Sequence, residues 1–211
     1  FRYLETDVHC TRDGVLIAFH DDRLDRVTNQ KGRIQKLNYA DVACARVENC
    51  EPIPLMEELL GDFPEARFNI DPKSDTAVRP LIEIIKRTGS EDRVCVGSFS
   101  DHRLRQIRSA LPQVCTSMAT YEAARAKLNS LGVRLGSLSA NCAQVPVRWN
   151  GVSVVDRRFI QTMKGQGIPV HVWTINDASE MHQLLDMGVD GIMTDRPALL
   201  KSILISRKQW S

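Results

Sequence analysis

Three features of the 211 residues predict an α/β fold, a TIM (β/α)8 barrel. Short apolar runs bounded by turn signals alternate with helical patterns down most of the chain, the rhythm of parallel strands joined by helical crossovers. No Gly-x-Gly-x-x-Gly fingerprint accompanies that rhythm, so an open dinucleotide-binding sheet loses its main support. Polar residues fall instead at the C-terminal ends of many strands: Asp7, His20, Asp71 with Lys73, Ser98, Thr174 with Asn176, and Asp195. A barrel gathers its functional groups at that end of its strands.

In chain order, the strand candidates are 3–8 (YLETDV), 15–20 (VLIAFH), 67–71 (RFNID), 94–99 (VCVGSF), 115–119 (CTSMA), 151–155 (GVSVV), 170–175 (VHVWTI) and 191–195 (GIMTD). Each is a short apolar or alternating run closed by turn-forming residues. Between them, 54–63 starts on Pro54, 77–89 stops on Gly89 and 101–111 opens at Asp101. Further on, 121–132 stops on Gly132, 157–167 carries apolar residues at helical spacing, and 177–188 has an acidic start and Gly188 as its stop. Acidic starts and glycine stops are helix boundary signals. A barrel usually takes about 250 residues, and 1–8 (FRYLETDV) is strand-like from its first residue. The expectation is therefore one TIM-barrel domain over 1–211, short by one βα unit at its N-terminus, with no internal boundary or repeat.

Composition narrows the function. The chain is 43% hydrophobic and 26% charged, with a net charge of +2. That balance gives no support to nucleic-acid binding, which needs clustered positive charge. No apolar run reaches the length of a membrane span. The six cysteines, Cys10, Cys44, Cys50, Cys95, Cys115 and Cys142, form no Cys-x-x-Cys pair. Their scatter reads most simply as reduced thiols and a cytoplasmic location, with a Cys44–Cys50 disulfide as the alternative.

The first strand carries the chemical signal. Glu5 and Asp7 lie two residues apart, so on a strand they share a face. If Asp71 joins them within about 5 Å, each ionised pair repels by roughly 3 kcal/mol at an effective dielectric near 20. Three carboxylates suit a hard divalent cation such as Mg²⁺ or Ca²⁺. Such an ion polarises a phosphoryl oxygen. An imidazole at His20 can move a proton, and Lys73 can meet developing negative charge.

The motifs point to one family. Glu5-Thr-Asp7, Thr11-Arg-Asp-Gly14 and "HDDRLDRVT" (20–28) resemble the glycerophosphodiester phosphodiesterase family, as do "IPLMEEL" (53–59), "FNIDPK" (68–73), "VGSF" (96–99), "VHVWTIND" (170–177) and "GVDGIMTDRP" (188–197). The resemblance implies a TIM barrel that hydrolyses glycerophosphodiesters to an alcohol and glycerol phosphate with a divalent cation. It implies that the substrate's neighbouring hydroxyl attacks first, and that water then opens the cyclic phosphate. By position it assigns Glu5, Asp7 and Asp71 as metal ligands, Asp71 standing where the family more often has Glu. It assigns His20 as the second catalytic histidine, Lys73 to the phosphate and Trp173 to the substrate mouth. A His-Arg pair on an earlier strand and a Pro-Glu-Asn-Thr segment are absent, and the first catalytic histidine with them. His9 faces away from Asp7 and reads as support or packing, and Asp195 as a fixer of the last loop. Two alternatives stay open: a related barrel acting on lysophospholipids or sphingolipids, and an inactive barrel that binds a phosphodiester or a partner.

Overall fold

A computed structural model describes residues 1–133 and 135–210. Its contacts divide the chain into two compact units, Phe1–Thr116 and Ser117–Ser211.

The first unit is built on strands β1 (Tyr3–Cys10), β2 (Leu16–Ala18), β3 (Arg46–Val47), β4 (Glu51–Pro52), β5 (Arg67–Pro72), β6 (Val94–Val96) and β7 (Cys115–Thr116). Its main sheet runs β2-β1-β5-β6-β7. Pairing is parallel from β1 through β5 and β6 to β7, as the rhythm predicts. The 15–20 run departs from it: β2 lies antiparallel to β1. The link between them is too short for a crossover, which needs a dozen or more residues. Thr11 N donates to Val15 O at 2.9 Å, Thr11 Oγ1 donates to Asp13 Oδ1 at 2.6 Å, and Gly14 takes φ 88° to close the hairpin.

Helices α1 (Tyr39–Val42), α2 (Met56–Asp62), α3 (Val78–Thr88) and α4 (Asp101–Ala110) complete this unit. Leu81, Ile84 and Ile85 of α3 and Leu104 and Ile107 of α4 are buried at helical spacing. Gly89 takes the left-handed conformation that ends α3. The cap of α4 is Ser100, one residue before the expected Asp101; its hydroxyl accepts from Arg103 N. Between β2 and α2 a long loop carries its own small core of Ile17, Phe19, Leu24, Ile34, Val42, Ala45 and Ile53. That core fixes the segment containing His20.

The second unit holds α5 (Thr120–Ser130), β8 (Ala143–Pro146), β9 (Arg148–Trp149), β10 (Val152–Ser153), α6 (Arg157–Gly165), β11 (Val170–Trp173), α7 (Ala178–Met187), β12 (Gly191–Ile192) and α8 (Pro197–Ser206). Its parallel sheet runs β12-β11-β8. The expected strand at 151–155 is only the return arm of the β9–β10 hairpin. The strand beside β11 is β8, whose sequence AQVP lacks the apolar run a buried strand usually shows. Asp156 and Asp177 cap α6 and α7 by accepting from Phe159 N and Glu180 N. Phe159, Met163, Val170, Val172 and Met181 fill the core.

Candidate active site

Strand register assembles the carboxylates. Parallel pairing sets Asp7 opposite Asp71 and Glu5 opposite Asn69. Because alternate residues share a face, these four side chains form one patch. Lys73 lies just beyond β5, where its backbone N donates to Val8 O at 3.1 Å. Its ammonium folds back between the acids, 2.9 Å from Asp7 Oδ1 and 2.8 Å from Asp71 Oδ2. The Asp-Pro dipeptide at 71–72 therefore continues the strand rather than turning.

The charge balance of the patch is unfavourable to its acids. Burial raises the Asp71 pKa above the usual carboxylate value even with Lys73 bonded to it. Burial also works against the Lys73 charge, but hydrogen bonds to Asp71 and Asp7 outweigh it and raise the lysine pKa. Glu5 is pushed up to about 7, first by loss of solvation and then by the Asp7 charge. The Glu5 side chain is exposed, so solvent screening reduces these effects there. Asn69 Oδ1 adds to the excess of acceptors, being buried with no hydrogen-bond partner among the described residues. The oxygens of Glu5, Asp7 and Asp71 do not all lie within 4.8 Å of one another.

His20 reaches the same patch from the end of β2. Phe19 N donates to Asp7 O at 2.9 Å, tying the two segments together. The imidazole is 79% exposed and places Nε2 3.7 Å from Asp7 Oδ2. Its Nδ1 lies 2.7 Å from Asp21 Oδ1. Hydrogen bonds from Arg26 and then His20 hold the Asp21 pKa down at about 2. An ionised carboxylate only accepts, so the hydrogen sits on Nδ1 and Nε2 is left as the basic nitrogen. His9 points to the opposite face of β1, is buried, and donates from Nε2 to His20 O at 3.2 Å. Burial lowers its pKa.

Asp7, Asp71, Lys73 and His20 are thus brought together, with Glu5 on the same face of β1. Trp173 stands at the C-terminal end of β11, in the second unit, half-buried on the face opposite Val172. Asp195 fixes the loop after β12 by accepting from Asn176 Nδ2 at 2.8 Å. Residue spacing did not single out Asn69, Asp21 or Arg26.

A family model described as the glycerophosphoryl diester phosphodiesterase family matches residues 1–199. The chain belongs to that family. It is an enzyme, a phosphoric diester hydrolase with a small-molecule glycerophosphodiester substrate. A Mycobacterium tuberculosis relative named "Probable glycerophosphodiester phosphodiesterase 2" is 39% identical over 216 residues, covering 100% of this chain and 82% of its own. The "Glycerophosphodiester phosphodiesterase" of Caldanaerobacter subterraneus subsp. tengcongensis is 28% identical, covering 95% of this chain and 85% of its own. Among solved structures, an Oleispira antarctica phosphodiesterase in complex with the product sn-glycerol-3-phosphate superposes with a TM-score of 0.80 at 21% identity, covering 97% of this chain and 85% of that one. Likeness of that kind establishes the fold, the α/β TIM-barrel fold of the phosphodiesterases. Among the described residues no helix is long and apolar enough to cross a membrane.

Proposed function

We propose that the chain works as one TIM-barrel domain that hydrolyses glycerophosphodiesters to an alcohol and glycerol 3-phosphate at a divalent cation, Mg²⁺ or Ca²⁺. The observation that carries this reading is the oxygen-rich patch: Asp7 and Asp71 share one lysine, Glu5 is pushed up to about 7, and Asn69 Oδ1 is unsatisfied. Oxygen donors short of positive charge fit a hard cation. Glu5, Asp7 and Asp71 would hold it. When bound, such an ion polarises the phosphoryl oxygen.

The chain's own side chains supply the rest. His20 Nε2, with Nδ1–H bonded to Asp21, takes the proton from the attacking hydroxyl as the new P–O bond forms, and gives it to the leaving alcohol oxygen as the old P–O bond breaks. The Lys73 ammonium meets the negative charge that grows on the phosphoryl group. The scatter of the six cysteines, with no Cys-x-x-Cys pair, supports a cytoplasmic location.

The test is release of glycerol 3-phosphate from glycerophosphocholine, glycerophosphoethanolamine and glycerophosphoinositol by the full natural chain. Assays with Mg²⁺ or Ca²⁺, with EDTA, and with His20→Ala complete it. Turnover that both EDTA and His20→Ala abolish is expected. Undiminished turnover in EDTA would overturn the metal-dependent reading, and undiminished turnover by His20→Ala would overturn the histidine's role.

A further inference from the structure

We propose that Asp21 and Arg26 are positioning residues that hold His20 in the one tautomer and orientation in which its Nε2 faces the carboxylate patch. This rests on the reading of His20 as the proton-transferring group.

An imidazole at the end of a short strand, 79% exposed, would otherwise rotate and exchange tautomers. Here Asp21 Oδ1 lies 2.7 Å from Nδ1, which fixes the hydrogen there and turns Nε2 toward Asp7. Asp21 alone would be a loose partner, being the adjacent residue on a loop. Arg26 clamps it: Nε donates to Oδ2 at 2.6 Å and Nη2 to Oδ1 at 2.9 Å. A two-pronged arginine bond fixes the plane of a carboxylate as well as its place.

Arg26 is placed in turn by a braced loop. Leu24 is fully buried, and its N donates to Gly32 O at 3.0 Å. Asp25 Oδ2 accepts from Gly32 N at 2.9 Å, and Thr28 Oγ1 donates to Leu24 O at 2.8 Å. The backbone of His20 is pinned from the other side by His9. Once Nε2 has taken a proton the ring is cationic, and the ionised Asp21 already faces that charge. A carboxylate in this relation to a histidine fixes its tautomer.

The test measures kcat and KM for glycerophosphocholine in Asp21→Asn, Arg26→Lys, His20→Ala and the His20→Ala/Asp21→Asn double variant, with melting temperature and calorimetric Mg²⁺ or Ca²⁺ affinity recorded for each. Asp21→Asn is expected to lose on the order of 10–100-fold in kcat, with KM and cation affinity within about twofold of the parent. Arg26→Lys, on an exposed arginine, keeps the charge without the fork and loses less. It keeps the test alive if Asp21→Asn fails to fold. The double variant should be no slower than His20→Ala alone, since Asp21 acts only through the imidazole. Nitrogen-15 spectra of the ring, assigned by the peaks missing in His20→Ala, should show hydrogen on Nδ1 in the parent and a tautomer mixture in Asp21→Asn. If folded Asp21→Asn and Arg26→Lys both keep parental kcat while His20→Ala is inactive, the positioning proposal fails and the catalytic reading stands. Parental kcat in His20→Ala would instead remove the reading on which the proposal rests.

Discussion

Replacing Lys73 with methionine removes the cation that bridges Asp7 and Asp71. Its ammonium is 2.9 Å from one carboxylate and 2.8 Å from the other, so the two oxygens it bridges are at most the sum of those distances apart. Two unit charges about 5 Å apart repel by about 3 kcal/mol at an effective dielectric of 20. Breaking a fully buried ion pair costs about 3–5 kcal/mol. Lys73 is 30% exposed and its partners 7% and 16%, so part of that cost is screened, and Lys73→Met should lose about 2–3 kcal/mol at pH 7.5 without added cation. The pH dependence has a definite sign. The lysine pKa is raised in the fold, so its contribution is complete below the unfolded value of about 10.4 and is lost as pH rises past it. In acid, protonation of the carboxylates removes the charges that the lysine balances, and the deficit shrinks again. Urea melts from pH 3 to 11 read this as a midpoint gap between parent and variant that is widest near neutrality, at unchanged m-value. Millimolar Mg²⁺ or Ca²⁺ should raise the variant's midpoint more than the parent's. A gap under about 0.5 kcal/mol at pH 7.5, or one that does not vary with pH, would refute the electrostatic reasoning, because exposed salt bridges contribute no more than that scale.

Two more predictions concern the same network and its supports, and a third concerns the parallel sheet of the second unit. Glu5 is raised to about 7, so its carboxyl contributes stability below about pH 4.5 that is lost as pH rises through 7. Cation-free Glu5→Gln should lack that decline in urea melts between pH 4.5 and 8; parallel profiles for parent and variant would contradict it. Leu24→Ala empties a fully buried site in the loop core, which should cost about 2.7–5 kcal/mol and lower kcat through the loop that carries Arg26, so unchanged melts would show the site had collapsed without loss. In the second unit, a Cβ at Gly191 would sit 2.8 Å from His171 Cδ2 on the paired strand. Gly191→Ala should therefore destabilise by about 1–3 kcal/mol, with most of the loss recovered in a His171→Ala background.

The carboxylate patch was legible because a period of two is a strong signal. Glu5 and Asp7 had to share a face, and pairing β1 with β5 in parallel is what the strand–helix rhythm predicts. Lys73 was legible as a charge but not as a bridge, since its seat between two acids depends on register. The β1–β2 hairpin was hidden because "VLIAFH" reads the same whichever way it pairs, and only the length of the Thr11–Val15 link distinguishes the two. Strand β8 was missed because Gln144 and Pro146 interrupt its apolar pattern, and tertiary packing overrode weak local preference. The Asp21–Arg26 clamp spans five residues in a loop with no period. Only its charges were on view in "HDDRLDR", and a run of mixed charge on a loop ordinarily reads as solvated surface.

The central claim is that Glu5, Asp7 and Asp71 bind the divalent cation of the phosphodiesterase reaction. Calorimetric titration of Mg²⁺ and Ca²⁺ into the full natural chain and into its Glu5→Ala/Asp7→Ala double variant tests it most directly. One saturable site in the parent, absent in the double variant, is the predicted result. Equal affinity in the two proteins would contradict the claim and place the cation elsewhere.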